Sequence, residues 1–203
     1  MATRANHLDF STWYPASSSM FTRKIIGILG WIGSGKGTIG DHLVDNHVFT
    51  AMSFAGPLKD AVAAIFRWPR HMLEGDTAES RQWREVADPY WSAKMGREVT
   101  PRWVLQNLGT DVLRHHFYDG IWLSSLEKAL TQHQGNVVIT DVRFPNEIAM
   151  IRAQGGELWW VRRGNLPMWY QCALRCPDKM QESWPKIHSS EYEWVSRGPF
   201  TTI

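Results

Sequence analysis

Lys24-Ile25-Ile26-Gly27-Ile28-Leu29-Gly30-Trp31-Ile32-Gly33-Ser34-Gly35-Lys36-Gly37-Thr38 is the stretch on which the fold turns. Its first six residues form a short apolar run suited to a strand buried in a parallel sheet. A glycine-rich turn follows, and Thr38 to Asn46 reads as a helix. Glycine lets the backbone curl until successive N–H groups point inward at phosphate oxygens, and the following helix adds its positive end. Lys36 supplies a point charge for the outer phosphates. Gly33, Ser34, Gly35, Lys36, Gly37 and Thr38 are therefore the expected nucleotide-phosphate contacts. A bland glycine-rich loop is the alternative, and the position between a strand and a helix argues against it. The hydroxyl usually found directly after the lysine is displaced by Gly37 to Thr38. Magnesium is then expected to be held more by phosphates and water than by a side chain at the usual position, with Thr38 touching phosphate or metal.

Outward from this turn, Val48–Phe54 reads as a second strand. Pro57 opens a helix to Phe66 with Leu58, Val62 and Ile65 on one face. Residues 67–100 are mixed, broken by Pro69, Gly75, Pro89 and Gly96, with a helix around Glu79–Val86. Pro101 starts a long helix to about Phe117, and another runs from Ile121 to His133. Val137–Thr140 is a buried strand ending at Asp141. Pro145 opens a helix to about Gln154, ended by Gly155-Gly156, and Glu157–Arg162 is a further strand. A short helix follows Pro167, and Gly198–Ile203 reads like a final strand. Strands alternating with helices imply an α/β fold, a parallel sheet with helices on both faces whose ligands sit at the carboxyl ends of the strands. The turn after the first strand, Ser53-Phe54-Ala55 and Asp141-Val142-Arg143 all fall at such ends.

The composition narrows the function. The chain has 203 residues, 43% hydrophobic and 21% charged, which suits one globular domain. With 22 Lys+Arg against 20 Asp+Glu the net charge is +2, too balanced for a nucleic-acid coat or a basic track. Arg outnumbers Lys 15 to 7, which favours two-pronged contacts to small anions. Twelve Trp are present, and most are expected to fill cores. Cys172 and Cys176 make no disulfide framework and, without a second Cys pair, no zinc site; His188 lies further on. No stretch has the length of a membrane span and the N-terminus lacks a secretory apolar run, so a reducing cytoplasm is the expected setting.

Several side chains ask for ligands. Arg102, Gln106, Gly109, Thr110 and Arg114 recur at helical spacing and share one face, apt for a nucleotide phosphate and base; a solvated face with incidental arginines is the alternative. Asp141 ends a buried strand, where a carboxylate needs a cation or a donor. It is a candidate magnesium-associated or substrate-orienting group, or else the cap of the helix that Pro145 opens. Arg143 reaches the same mouth and is expected to hold the acceptor phosphate. Lys59 and Ser53, beside the end of the second strand, are weaker candidates.

The pattern Gly-x-x-Gly-x-Gly-Lys-Gly-Thr resembles the P-loop of nucleoside monophosphate kinases. Ser53-Phe54-Ala55-Gly56-Pro57-Leu58-Lys59, Pro101-Arg102-Trp103-Val104-Leu105-Gln106-Asn107-Leu108-Gly109-Thr110-Asp111, Asp141-Val142-Arg143-Phe144-Pro145-Asn146-Glu147 and His188-Ser189-Ser190-Glu191 extend that likeness over about residues 24–200. Together they resemble the phage-type deoxynucleoside monophosphate kinases. The resemblance implies a three-layer P-loop fold over residues 23–203 after a loose extension, residues 1–22. It also implies a helical acceptor-binding insertion over about 56–133 and a short lid over about 163–188. ATP and Mg2+ are the implied cofactors and a deoxynucleoside monophosphate the partner, in a host cytoplasm, without stable nucleic-acid or membrane binding; a homodimer is left open. Catalytic roles are implied for Lys36, Asp141, Arg143 and Arg162, the last at the start of the lid. Arg162, Arg163 and Arg175 are otherwise surface arginines. Trp122 fits a family position that packs on the acceptor base, with a core Trp as the alternative. The family usually continues past this chain's last strand with a helix. A dephospho-coenzyme A kinase-like enzyme shares the P-loop and lid but lacks the Leu-Gln-x-x-Gly-Thr-Asp segment; a non-catalytic P-loop module is the rival from another class.

Overall fold

The computed structural model describes residues 23–31, 33–187 and 189–203. The expected extension 1–22, Ile32 of the turn and His188 lie outside the described residues. The first strand, β1 (Ile25–Leu29), is buried along its whole length. It sits at the centre of a five-stranded sheet with β2 (Phe49–Met52), β3 (Asn136–Ile139), β4 (Glu157–Trp160) and β5 (Thr201–Thr202), in the order β2-β3-β1-β4-β5. All the pairings are parallel, with Ile25 beside Val137 and Leu29 beside Trp160. The chain fills one side of β1 first and then the other. The direction of winding therefore reverses at β1, and a crevice opens beyond its carboxyl end.

Alternation along the strands makes the layers. Ile26, Ile28 and Val138 pack with Leu43 and Ile39 of α1 (Lys36–His47). Ile25, Leu29, Val137, Ile139 and Leu158 face the larger core on the other side. A Cβ on Gly40 would lie 2.4 Å from the Thr140 methyl, so glycine is what lets α1 lie close to the end of β3. The fold is thus the expected α/β P-loop arrangement.

Between β2 and β3 the regular elements of the described chain are all helices: α2 (Gly56–Phe66), a 3-10 turn at Arg70–Leu73, α3 (Ala78–Trp83), α4 (Pro89–Met95), α5 (Pro101–Gln106), a π-helix at Asn107–Phe117 and α6 (Ile121–Gln132). After β3 come α7 (Pro145–Ala153), β4, α8 (Tyr170–Arg175) and α9 (Met180–Ser183).

The structure corrects several expectations. The second strand starts at Phe49, because Val48 adopts a left-handed conformation (φ 55°) and ends α1 with its N–H on Leu43 O. It stops at Met52, because the following amides turn toward Asp141. Ile65 is 59% exposed rather than buried beside Leu58 and Val62. The end of α2 is held instead by Phe66, stacked on Trp68 at 4.6 Å. The helix at Pro89–Met95 comes from the residues read as breaks: Asp88 accepts from Trp91 N as its cap, Pro89 opens it, and Gly96 at φ 64° closes it.

The long helix expected over 101–117 changes type, continuing past Gln106 as a π-helix, Asn107–Phe117. Its wider turn is visible where Tyr118 N donates to Leu113 O, five residues back. The 3.6-residue period that put Arg102, Gln106, Thr110 and Arg114 on one face therefore does not extend through it. Gln106 and Thr110 are exposed, Gly109 is buried, and Arg114 turns inward.

The segment expected to be a lid sends Trp169, Ala173 and Met180 into the main core. Trp31 of the turn sets its ring edge-on to Trp160, Trp169 and Tyr170 at 5.6 to 6.0 Å. Packing accounts for Trp68, Trp169 and Trp194, all under a tenth exposed. No described helix is long and apolar enough to cross a membrane, and Cys172 and Cys176 are free thiols.

Candidate active site

The turn after β1 depends on glycine where the backbone requires it. Gly30 has φ 147°, and a Cβ there would lie 2.6 Å from both Ser34 Oγ and the main-chain oxygen of Val161. Gly33 and Gly35 also take positive φ, with open space where a side chain would stand. The loop closes with Ser34 N on Trp31 O at 3.1 Å. Gly35 then leads into α1, which carries no side-chain cap and no acidic residue in its first turn. Its positive end faces the crevice without a competing carboxylate of its own.

Lys36 folds back over the turn, with Nζ 2.6 Å from Gly30 O and 2.8 Å from Trp31 O. Burial and the neighbouring Arg143 charge bring its pKa down to about 8, against the opposing pull of Glu191. Ser34 Oγ is buried with no partner among the described residues. A buried hydroxyl without a partner among the described residues, a partly desolvated ammonium and uncapped helix amides form a cradle suited to an anion.

Arg143, just past β3, donates from Nη1 to Glu191 Oε1 at 3.0 Å and to Ser190 Oγ at 3.4 Å. Asp141 accepts Ser53 Oγ at 2.7 Å, Ala55 N at 3.0 Å and Phe54 N at 3.1 Å. The carboxylate thus finds its donors at the entry to α2. It does not cap the helix that Pro145 opens.

Glu147 fills that second role. Its Oε2 accepts Arg143 N at 2.7 Å and Phe144 N at 3.0 Å, and its Oε1 lies 3.9 Å from Arg114 Nη2. The side chain is only 3% exposed. Burial and the nearby Asp141 charge push its pKa up to about 7, with the hydrogen bonds from Arg143 and Phe144 pulling the other way. The Arg114 guanidinium also sits 5.3 Å from the Phe144 ring centre.

The structure therefore gathers Lys36, Arg143, Asp141, Ser53 and Arg114 at the mouth, and it adds Glu147 and Glu191. Both acids stood in quoted motifs, but spacing alone gave neither a role. Other expected residues contact different partners. Arg102 pairs with Glu85, Lys59 pairs with Glu74 at 2.5 Å, and Arg162 is exposed with its guanidinium 5.2 Å from the Trp160 ring. Trp122 is 8% exposed and donates its indole N–H to Gly109 O at 3.1 Å, which is the core alternative left open by its sequence.

A metal has few protein ligands to choose from. Among the described residues no group of three or more His, Cys, Asp or Glu could hold one. Both Asp141 oxygens already accept hydrogen bonds. Such a donor set fits magnesium carried on nucleotide phosphates and water rather than a protein cage.

Comparison with known proteins identifies this combination of parts. A family model described as deoxynucleotide monophosphate kinase matches residues 70–168. An Acanthamoeba polyphaga mimivirus protein, provisionally named a deoxynucleotide monophosphate kinase, is 34% identical over 155 residues, covering 68% of this chain and 74% of that protein. The deoxynucleoside-5'-monophosphate kinase of Escherichia phage T5 is 44% identical over 55 residues, 27% of this chain and 22% of that enzyme.

Proposed function

Since this chain belongs to the deoxynucleotide monophosphate kinase family, we propose that it carries out ATP + dNMP → ADP + dNDP. The observation that carries this reading is the meeting of Lys36 with Arg143 at the carboxyl ends of β1 and β3. Lys36 Nζ lies on the carbonyls of the turn while Arg143 holds Glu191 Oε1 at 3.0 Å. Burial first and the Arg143 charge second lower the lysine's pKa, so an anionic phosphate entering here is stabilised by both cations.

The acceptor is a phosphate whose second pKa is near 6, so it is ionised at neutral pH and needs no catalytic base. Glu147 is not a base in this reading, because its Oε2 accepts two main-chain N–H groups. The work is alignment and charge compensation. The N–H groups of the turn and of α1 cradle the donor phosphates, with Ser34 Oγ as a further donor. Lys36 exchanges the Gly30 and Trp31 carbonyls for phosphate oxygens. Arg143 exchanges Glu191 for the acceptor phosphate, and Arg114 approaches the same phosphate from the π-helix. Gln106 and Thr110, exposed on the acceptor side, are offered to the nucleoside. Arg102, Lys59 and Arg162 join only by leaving their present contacts as the site closes, a step that also excludes water. Thr38 and Asp141 are the protein groups that would help hold a magnesium ion carried on the nucleotide phosphates, and the ion would supply positive charge to offset theirs.

A coupled ADP-release assay with ATP tests the reading across all common dNMPs, NMPs and dephospho-coenzyme A. dNMP-dependent release is expected, lost in Lys36→Ala with the fold intact. Release only with dephospho-coenzyme A, or nucleotide binding without any acceptor-dependent release, would overturn it.

A further inference from the structure

Glu147 is more than the start of α7 requires. A glutamate at the third position of a helix commonly reaches back to the cap N–H, and one carboxylate oxygen suffices for that. Here Oε2 alone accepts the N–H of Phe144 and also that of Arg143, one residue further out. Phe144 has no side-chain acceptor to complete a reciprocal cap, and Glu147's own N–H is taken by Asn146 Oδ1 at 3.0 Å. The second oxygen, Oε1, faces Arg114. A cap in solvent would do the local job without burying a charge, and burying one is costly unless it has partners.

We infer that Glu147 is a positioning residue for the acceptor phosphate, holding the Arg143 main chain with one carboxylate oxygen and aiming the Arg114 guanidinium with the other. The inference rests on the reading of Arg114 and Arg143 as acceptor contacts.

The geometry suits this division of labour. At 3.9 Å the Arg114 contact is longer than a hydrogen bond, so it orients the charge and leaves the guanidinium donors for an incoming anion. The Phe144 ring flanks the same guanidinium, and the Phe144 main chain hangs on Glu147 Oε2. One buried carboxylate thereby sets the ring, the π-helix arginine and the loop arginine relative to each other. Arg143 is tied at its backbone only, which leaves its side chain to move from Glu191 to phosphate.

Glu147→Gln separates this role from capping. The amide oxygen still accepts from Arg143 N and Phe144 N, while the charge facing Arg114 is gone. Assayed at pH 8, above the Glu147 pKa of about 7 so that the parent carries the charge, the expected result is a KM for dNMP raised about tenfold, as for coupled neighbours, with the KM for ATP and the melting temperature little changed. In Arg114→Met the KM for dNMP rises as well, and the double variant is no worse than Arg114→Met alone. If Glu147→Gln does not fold, Glu147→Met carries the test, being apolar and of similar reach; it is expected to raise the same KM. An unchanged dNMP KM in the Glu147 variant, or effects that multiply in the double variant, overturns the inference while leaving the acceptor reading in place. An unchanged dNMP KM in Arg114→Met removes Arg114 from the acceptor site, a failure of the underlying reading.

Discussion

Arg143 and Glu191 lie 48 residues apart in sequence, yet Nη1 of the first is 3.0 Å from Oε1 of the second. The pair stands beside Lys36, whose pKa both of them move, the arginine downward and the glutamate upward. A phosphate entering this group meets two cations already partly removed from water and one carboxylate that must yield.

The first consequence concerns Arg143. A hydrogen bond to a charged group contributes about 1.5–3 kcal/mol, or about 10–100-fold in affinity. Arg143→Ala is therefore expected to raise the KM for dNMP by a factor in that range while the melting temperature stays close to that of the parent. Steady-state kinetics with dNMP varied at saturating ATP checks this, and an unchanged dNMP dependence removes Arg143 from the acceptor site.

Lys36 makes nucleotide binding sensitive to pH. Its folded-state pKa, about 8, is below the ordinary 10.5, so between these values the unfolded chain binds more protons. Lys36's contribution to stability accordingly improves as pH rises through that window, and the desolvation penalty is felt in full below it. Phosphates reverse the shift by favouring the charged ammonium. At pH 8.5 nucleotide binding is expected to take up a fraction of a proton, seen by calorimetry in buffers of different ionisation enthalpy. The uptake should vanish in Lys36→Met; its absence in the parent protein would show that phosphate does not engage this lysine.

Asp141 has a structural task that needs no metal. In Asp141→Ala, Ser53 Oγ and the N–H groups of Phe54 and Ala55 lose their acceptor. A group left unsatisfied costs ~1–3 kcal/mol. A net loss of ~3 kcal/mol lowers the melting temperature by ~6–12 °C for a domain of this size. Thermal denaturation without nucleotide or magnesium should show the drop. A variant that melts like the parent under those conditions would return Asp141 to a purely catalytic or metal-binding role.

Two glycines of the turn should respond in opposite ways. Gly30→Ala places a methyl 2.6 Å from the rigid main-chain oxygen of Val161 at φ 147°, and nucleotide binding should be lost. Gly37 has open space around its Cβ position and no positive φ, so Gly37→Ala should fold and bind nucleotide. Equilibrium binding of ATP to both variants decides, and equal behaviour contradicts the steric argument.

Local chemistry was legible in the residues themselves. The run from Lys24 to Thr38 specifies strand, turn and helix because each choice depends on near neighbours: burial of an apolar run, glycine at strained angles, an uncapped helix start. Asp141 was legible as a carboxylate at the end of a buried strand in need of donors, but the identity of those donors was not, since they arrive from Ser53–Ala55, between β2 and α2. Arg102 and Lys59 looked available because their partners, Glu85 and Glu74, are brought to them only by the fold. The 3.6-residue period did not separate Arg114, which turns in toward Glu147, from Gln106 and Thr110, which are exposed, because the helix widens after Gln106.

The sequence by itself determined that this chain builds a phosphate-binding turn on a buried parallel strand and is equipped with arginines for small anions. Those features follow from backbone sterics and side-chain chemistry over a few residues. Tertiary structure alone decided which arginines meet at the mouth and which carboxylates hold them. Lys36, Arg114, Glu191 and the Arg143–Glu147 stretch come from four separate segments, and electrostatic coupling between them exists only once packing has removed the water that would screen it.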